Sequence, residues 1–323
     1  MIAWRVEFKM SEAKYRVGAG VLVCALAIAT ICGAAWAATR PDIQIEDVNR
    51  FFRVYDASDG HPSADQLQHD YIDPGSEALH RFVRLRNVTG TRIADALAGH
   101  PQIYTGARRC LAVLPGVKQR LTAALSKLAA LYPEAKFPPV TLLIGRGRPV
   151  GITDGSGVSM GLEALCAADF MNPNLEDRFV HTIAHEYGHI QQPEALQLLE
   201  PGDPGATVLR MSLMEGTAEF IAELISGDVG NYQHRSWTKG HETTIETAFV
   251  EDQDKTDLSK WLNKGPGDAE HPGDLGYWVG YRIVKSYYQR AADKRQALRD
   301  ILQMSDPKKF LAKSGWYPGM RLQ

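Results

Sequence analysis

Residues 185–189 read H-E-Y-G-H, and these residue types at this spacing are typical of a metal site. Histidines four residues apart lie on one face of a helix, one turn from each other, so the imidazoles of His185 and His189 can bind the same ion. Glu186 points away from that face, so its carboxylate can approach a water on the metal instead of the metal itself. The segment therefore predicts a helix that carries two metal ligands and a general base.

Two histidines alone do not make a catalytic zinc site, which needs three protein ligands and an open position. The metzincin pattern would require a glycine and a histidine where the chain has Gln192 and Ala195, so that class of site is excluded. Glu215, on a second helical stretch, is the candidate third ligand. Glu219, one turn later, is predicted to accept the free N–H of a ligand histidine, although the reverse assignment with Glu219 as the ligand stays open. Gly216 would allow the second helix to approach the first closely.

The residues around these ligands resemble known families. H-E-x-x-H followed by E-G-T-A-E at 215–219 is similar to the gluzincin clan of zinc metallopeptidases. A closer resemblance, over residues 45–317, is to a family of predicted zinc-dependent proteases that is catalogued as a domain of unknown function. Its recurring stretches are matched by Y-P at 132–133, F-P-P-V at 137–140, I-G-R at 144–146, G-L-E at 161–163, A-H-E at 184–186 and D-L-G-Y-W-V-G-Y at 274–281.

The resemblance implies a zinc-dependent peptidase that acts on a peptide or protein substrate with one Zn²⁺ per chain. Metal-activated water would attack the peptide carbonyl, and Glu186 would act as the general base. Tyr277, in a Y-x-x-G stretch similar to that of M1-like enzymes, would stabilise the oxyanion. Tyr281, His241 and His271 remain alternatives for that role. The G-x-M-E-N stretch of M1 exopeptidases is missing, so the resemblance does not extend to aminopeptidase activity.

Two other functions stay open at the level of the sequence. One is a zinc-containing binding domain without turnover, and the other is a hydrolase of a non-peptide amide in the cell envelope. The intact Glu186 favours an enzyme over a binding domain, because a structural zinc needs no general base and usually closes its fourth position. A strand predicted over 158–162, just before the metal helix, would present its edge to an extended peptide.

The remaining pattern predicts an α+β fold that is mainly helical. We expect a zincin-like catalytic domain, in which a small sheet packs on the H-E-x-x-H helix and a glutamate-bearing helix follows. Residues 38–135 would form an N-terminal helical region and 136–323 the catalytic region, joined as one globular unit. Apolar periodicity and the positions of Pro and Gly predict strands over 140–145 and 158–162, turns over 145–157, and helices over 175–192, 206–227, 241–251 and 275–291, followed by two shorter helices.

Residues 1–37 have the layout of a secretory signal peptide, with basic residues, an apolar uncharged stretch and the small residues of A-W-A at 35–37. An uncleaved signal anchor is the alternative. Ile31 precedes Cys32 where a lipoprotein signal requires a small residue, so lipid attachment is not expected. The chain is therefore predicted to be exported, either periplasmic or secreted, or anchored by its N-terminal segment.

The composition excludes several classes of protein. Charged residues make up 23% and hydrophobic residues 44%, the usual balance of a globular protein. The formal net charge of -2 provides no basic field, so no nucleic-acid partner is expected. No segment besides the N-terminal one is apolar enough to suggest a membrane contact, and the oligomeric state is not determined. Cys110 and Cys166 could form a disulfide in an oxidising compartment or remain two free thiols.

Overall fold

The computed structural model describes residues 41–322 apart from 149–150, 194–201, 263 and 266. The predicted signal peptide or anchor, residues 1–37, lies outside the described residues. The strands are β1 Ile43–Gln44, β2 Val140–Leu143, β3 Gly151–Asp154 and β4 Gly157–Gly161. The helices are α1 Glu46–Ala57, α2 Ala64–Gln66, α3 Glu77–Leu85, α4 Gly90–Gly99, α5 Pro101–Ala107, α6 Leu114–Leu131, α7 Leu162–Ala167, α8 Leu175–Ile190, α9 Val208–Ser226, α10 His234–Trp237, α11 Glu242–Asp252, α12 Leu275–Arg290, α13 Lys294–Leu302 and α14 Pro307–Ser314, with a π-helical turn Leu67–Ile72 and a 3-10 turn Arg108–Val113.

The N-terminal helices pack together through aromatic side chains. Phe51 of α1 is fully buried, and its ring lies 5.4 Å from that of Tyr71 and 5.9 Å from that of Tyr104. Both tyrosine hydroxyls reach the segment that follows β2. Tyr71 donates to the carbonyl of Ile144 at 2.7 Å, and Tyr104 donates to the carbonyl of Gly145 at 3.2 Å. The helical region therefore supports the chain where it leaves the sheet.

The four strands form one mixed sheet in the order β1-β2-β4-β3. Strands β1, β2 and β4 run parallel, whereas β3 pairs antiparallel with β4 in a tight hairpin. The prediction of turns over 145–157 is wrong in its second half, because β3 is short and only Ile152 in it is buried, which leaves no apolar periodicity to detect. The strand predicted over 158–162 is β4, but it lies between β2 and β3. Its expected role as a free edge for a peptide is therefore wrong.

Glycines set the distances between the three long helices α8, α9 and α12. A Cβ atom on Gly188 of α8 would lie 2.8 Å from the Cα of Ala218 on α9. On the other side of α9, a Cβ atom on Gly280 of α12 would lie 1.7 Å from the carbonyl oxygen of Ser212. Gly216, which was expected to face the first metal helix, instead faces Gly280, 2.1 Å from its carbonyl carbon. The backbones of α9 and α12 could not come this close with larger residues.

Two further links hold the fold together. Cys110 and Cys166 form a disulfide with a Cα–Cα distance of 6.0 Å, which joins the 3-10 turn to α7. The carboxylate of Glu246 is fully buried and accepts hydrogen bonds from Arg282 of α12 and from the indole N–H of Trp316 near the C-terminus. The disulfide, which the sequence left open, suits an oxidising compartment.

The prediction of a mainly helical α+β fold is confirmed, since helices dominate and a small four-stranded sheet is present. The helices predicted over 175–192, 206–227 and 275–291 correspond to α8, α9 and α12, with ends that differ by at most two residues. Residues Thr39–Gln323 belong to one compact unit. In the described part of the chain, no helix combines the length and apolar character that crossing a bilayer would require.

Candidate metal centre

Three side chains from α8 and α9 converge on one point. The Nε2 atoms of His185 and His189 lie 3.1 Å apart, and the Oε2 atom of Glu215 lies 3.4 Å from the first and 3.1 Å from the second. Ligands of a tetrahedral zinc at about 2.0–2.1 Å are separated from each other by about 3.3 Å. The observed separations therefore match the edges of a zinc coordination tetrahedron, and two imidazoles with one carboxylate suit that ion chemically.

The Nδ1 atom of each histidine in the cluster, which points away from the other two side chains, faces an acceptor. His189 Nδ1 lies 3.0 Å from Oε1 of Gln192, whose amide N–H₂ in turn donates to the carbonyl of Met214 at 2.7 Å. His185 Nδ1 lies 3.4 Å from Oε1 of Glu219, an ion-pair distance that is longer than a good hydrogen bond. Such acceptors keep the Nδ1 proton in place, so that Nε2 is left with the lone pair that binds metal.

Glu219 lies behind the imidazole of His185, on the side away from Glu215. Its carboxylate accepts hydrogen bonds from the backbone N–H of Gly230 at 2.7 Å and from the side-chain amide of Asn231 at 2.6 Å. These contacts direct Glu219 away from the point where the side chains of His185, His189 and Glu215 meet, so Glu215 and not Glu219 belongs to the convergent cluster. The reverse assignment has no geometric support.

Charges at the cluster are mutually compensating. Burial opposes ionisation of Glu215, but attraction to His189 and hydrogen bonds with both imidazoles outweigh it and lower the pKa of this carboxyl. Burial likewise opposes protonation of His185 and His189, but the contact with Glu215 outweighs it and raises both imidazole pKa values. The carboxylate and the two imidazoles therefore stabilise each other's charged forms.

Glu186 stands beside the ligand cluster and is contacted by strand β3. The hydroxyl of Thr153 donates to its Oε2 atom. A Cβ atom on Gly151 would lie 2.7 Å from its Oε1 atom, so a larger residue there would displace the carboxylate of Glu186. The edge strand thus orients the carboxylate that the sequence assigned as the general base.

Tyr277 is the aromatic residue that the structure brings to the cluster. Its ring stacks on that of His185 with 6.1 Å between centroids, and burial followed by the nearby charge of Glu215 raises the pKa of its hydroxyl. The hydroxyl therefore stays protonated and can donate. Tyr281 instead accepts a hydrogen bond from Lys285 at 3.0 Å, away from the cluster. The two alternatives among the histidines, His241 and His271, are exposed on the surface.

Sequence reasoning missed several residues that support the centre. Gln192 lies three residues after His189 and therefore on the same side of the chain, a signal that was available but was used only to exclude a metzincin. Thr153 and Asn231 come from β3 and from the loop after α9, and no spacing rule connects them with the histidines. His181, one turn before His185, bonds Ser226 at 2.8 Å and does not join the cluster.

Comparison with known proteins gives one match. Residues 230–318 match the family model of the gliding motility protein GldB, a lipoprotein family. This segment is less than a third of the chain, and it contains Tyr277 and α12 but neither α8 nor α9. No curated protein and no solved structure matches the chain.

The match corrects the family interpretation of the sequence. The family that matches is not a zinc metallopeptidase family, so the assignment to the gluzincins and to the related predicted proteases is wrong, and with it the prediction of a protease acting on peptide bonds. The physical reason is that H-E-x-x-H with a following glutamate specifies how a metal is held, whereas substrate and activity depend on the surroundings of the metal. The match supports the prediction that the protein is exported, and it points to an association with the cell envelope.

Proposed function

We propose that this chain is an exported, envelope-associated zinc protein whose centre is arranged for metal-assisted hydrolysis. The observation that carries the proposal is the mutual approach of the ligand atoms of His185, His189 and Glu215 to within 3.1–3.4 Å. Three protein ligands leave a fourth position of a tetrahedral zinc open, which is the arrangement of catalytic and not of structural zinc. The same arrangement favours a zincin-like organisation, with a small sheet against the first metal helix and a glutamate on the second.

The residues around the ligands have the properties that hydrolysis requires. A zinc ion here would supply Lewis acidity and a water of lowered pKa. Glu186 would accept a proton, since its Oε2 atom is held by Thr153 and no donor hydrogen-bonds its Oε1 atom among the described contacts. Tyr277, whose raised pKa keeps its hydroxyl protonated, would donate to negative charge that develops on the substrate.

Metal content and hydrolysis test the two parts of this proposal separately. We expect one zinc per chain in the wild type and in Glu186→Gln, and almost none in Glu215→Gln. Glu223→Gln is the matched control, because Glu223 lies on the same helix two turns later and pairs with Lys285 instead of the cluster. Chromogenic esters, amides and phosphoesters serve as hydrolysis probes, with turnover expected in the wild type and lost in Glu186→Gln. Equal zinc in wild type and Glu215→Gln would contradict the ligand assignment.

The family match favours a second role that is compatible with the first. Residues 230–318 are similar to the gliding motility protein GldB, which supports participation in an envelope process linked to surface movement. Deletion of the chain in its host, scored by spreading over a solid surface, tests this role. Complementation by the wild type but not by Glu215→Gln would connect that process with the metal centre, and unchanged spreading after deletion would contradict the role.

A further inference from the structure

We propose that the segment 230–234, which follows α9 and ends at the first residue of α10, is coupled to metal binding at the centre. An ion would order this segment, and the ordered segment would strengthen binding of the ion. This inference rests on the metal centre of the proposed function and names an element that regulates its occupancy. It is carried by hydrogen bonds from the segment to Glu219, by a contact with the start of α12, and by the position of His185 between the two.

The segment holds the carboxylate that lies behind His185. The backbone N–H of Gly230 donates to Oε2 of Glu219 at 2.7 Å, and the side-chain amide of Asn231 donates to Oε1 at 2.6 Å. The backbone N–H of Asn231 lies 3.4 Å from Oε2 and adds a weaker bond. Glu219 is 2% exposed, so these donors replace the water that its carboxylate loses on burial. The position of Glu219 therefore depends on this segment.

The same segment contacts the start of α12. His234 is 3% exposed, and its Nε2–H group donates to the carbonyl of Gly273 at 3.0 Å. Gly273 directly precedes Asp274, the N-cap residue of α12. Tyr277 lies in the first turn of α12, and its ring stacks on that of His185. The segment therefore reaches His185 by two routes, through the carboxylate on α9 and through α12.

His185 is the residue through which an ion and the segment would be coupled. Among the described residues, its buried Nδ1 atom has no hydrogen-bond partner and lies 3.4 Å from Oε1 of Glu219. When Nε2 binds a metal ion, the ring proton is confined to Nδ1, and the Nδ1–H group can donate to Glu219. Hydrogen bonds to a charged acceptor are about twice as strong as neutral ones. Metal binding should therefore fix Glu219 and, through it, Gly230 and Asn231.

The coupling must act in both directions. If the ordered segment raises the affinity for the ion, then binding of the ion stabilises the ordered segment by the same free energy. Short segments outside the long helices open locally at a lower free energy than the whole fold does. Opening of residues 230–234 would therefore release the ion while α8 and α9 stay folded.

Hydrogen exchange of the wild type, read by mass spectrometry with and without zinc, tests the effect of the ion on the segment. We expect zinc to slow exchange in the peptide that covers residues 230–234 by about fivefold or more, the low end of typical coupling between sites. The matched control is the peptide around Gly319, whose N–H also donates to a buried carboxylate, that of Glu246, which pairs with Arg282. Glu215→Gln should show no slowing, because it lacks a ligand. An equal response of both peptides in a wild type that binds zinc would overturn the proposal.

Zinc affinity, measured by competition with a chromophoric chelator, tests the effect of the segment on the ion. We expect Asn231→Ala to weaken zinc binding about five- to tenfold, because it removes a donor to Glu219 without touching a ligand. Tyr232→Ala is the matched control, since the Tyr232 side chain is 42% exposed in the same segment, and it should bind zinc as the wild type does. The exchange measurement needs no substitution in the segment, so it decides the matter even if Asn231→Ala does not fold.

The possible results distinguish this coupling from the proposed hydrolysis. Zinc binding by the wild type with the same affinity in Asn231→Ala would overturn the coupling and leave the hydrolase proposal standing. A wild type that binds no zinc would contradict both. Zinc-dependent slowing of exchange together with weaker binding in Asn231→Ala, in a protein that hydrolyses none of the probes, would support the coupling and refute hydrolysis.

Discussion

Glu215 at the metal centre and Glu163 beneath the loop after β2 are both withdrawn from water, but their neighbours differ. Glu215 faces two imidazoles, and their charge and hydrogen bonds lower its pKa in spite of burial. Glu163 faces backbone N–H groups, which only partly offset its burial, and burial raises its pKa to about 7. The same side chain is thus held ionised in one region and close to neutrality in the other.

The difference shows what each region is built to do. At the centre, Glu215 faces two imidazoles whose nitrogens could bind the same metal ion, so the region is suited to a cation. In the loop after β2, the carboxylate of Glu163 accepts hydrogen bonds from the backbone N–H groups of Gly145 and Gly147, so it serves to shape the backbone of that loop.

The largest expected effect is the response of stability to zinc. Ligand binding stabilises the folded state by about 4 kcal/mol at a free concentration one thousand times the dissociation constant. We expect a zinc-dependent rise in the unfolding midpoint of the wild type and of Glu163→Gln, and no rise in Glu215→Gln, because only the last variant removes a ligand. Thermal unfolding with and without a chelator measures it. A comparable rise in Glu215→Gln would show that the two glutamates do not differ in this way.

The next effect is the dependence of stability on pH. The pKa of Glu163 is higher in the folded protein, about 7, than the usual 4.5, so the folded state retains the proton more strongly than the unfolded chain. This contribution is fully present below pH 4.5 and is lost as the pH rises to about 7, a difference of about 3 kcal/mol. We expect Glu163→Gln to remove that decline. Urea unfolding of both proteins from pH 4.5 to 8 measures it, and parallel curves would contradict the raised pKa.

A smaller effect is expected from a change in the close packing of α9 against α12, which does not involve the loop that Glu163 contacts. Gly280→Ala places a methyl group against the carbonyl of Ser212, which should lower the free energy of unfolding by about 1–3 kcal/mol and weaken zinc binding. The part of the pH dependence that Glu163 causes should be unchanged. Gly99→Ala is the control, because a Cβ atom there has no neighbour within 4 Å. Equal stability of the two variants would show that α12 does not constrain α9.

The smallest effect concerns residues that touch the ligands. Glu219→Gln and Gln192→Ala should each weaken zinc binding by about 10–100-fold, because the acceptors at Nδ1 of the two histidines orient the rings. Competition with a chromophoric chelator measures this loss, and Glu223→Gln should bind zinc as the wild type does. Unaltered zinc affinity in both variants would mean that the rings are held by packing alone.

Local patterns in the sequence were sufficient for the helices and for the candidate ligands. The spacing of His185 and His189 follows from the helical repeat, and the helix that carries Glu215 is recognisable from its apolar residues alone, so these parts required no knowledge of distant contacts. Family membership could not be read in the same way. The same ligand geometry can serve different activities, and the resemblance built on it was wrong.

Only the tertiary structure decided how distant segments meet around the site. Strand β3 forms through backbone hydrogen bonds to β4, which leave no apolar pattern in its sequence. Its contact with Glu186 through Gly151 depends on how the sheet packs on α8. The pKa of Glu215 is lowered and that of Glu163 is raised by surroundings that include residues far away in the chain. Hydrogen bonding along a helix acts over four residues and is visible in sequence, whereas electrostatics and close packing act through space and appear only once the chain has folded.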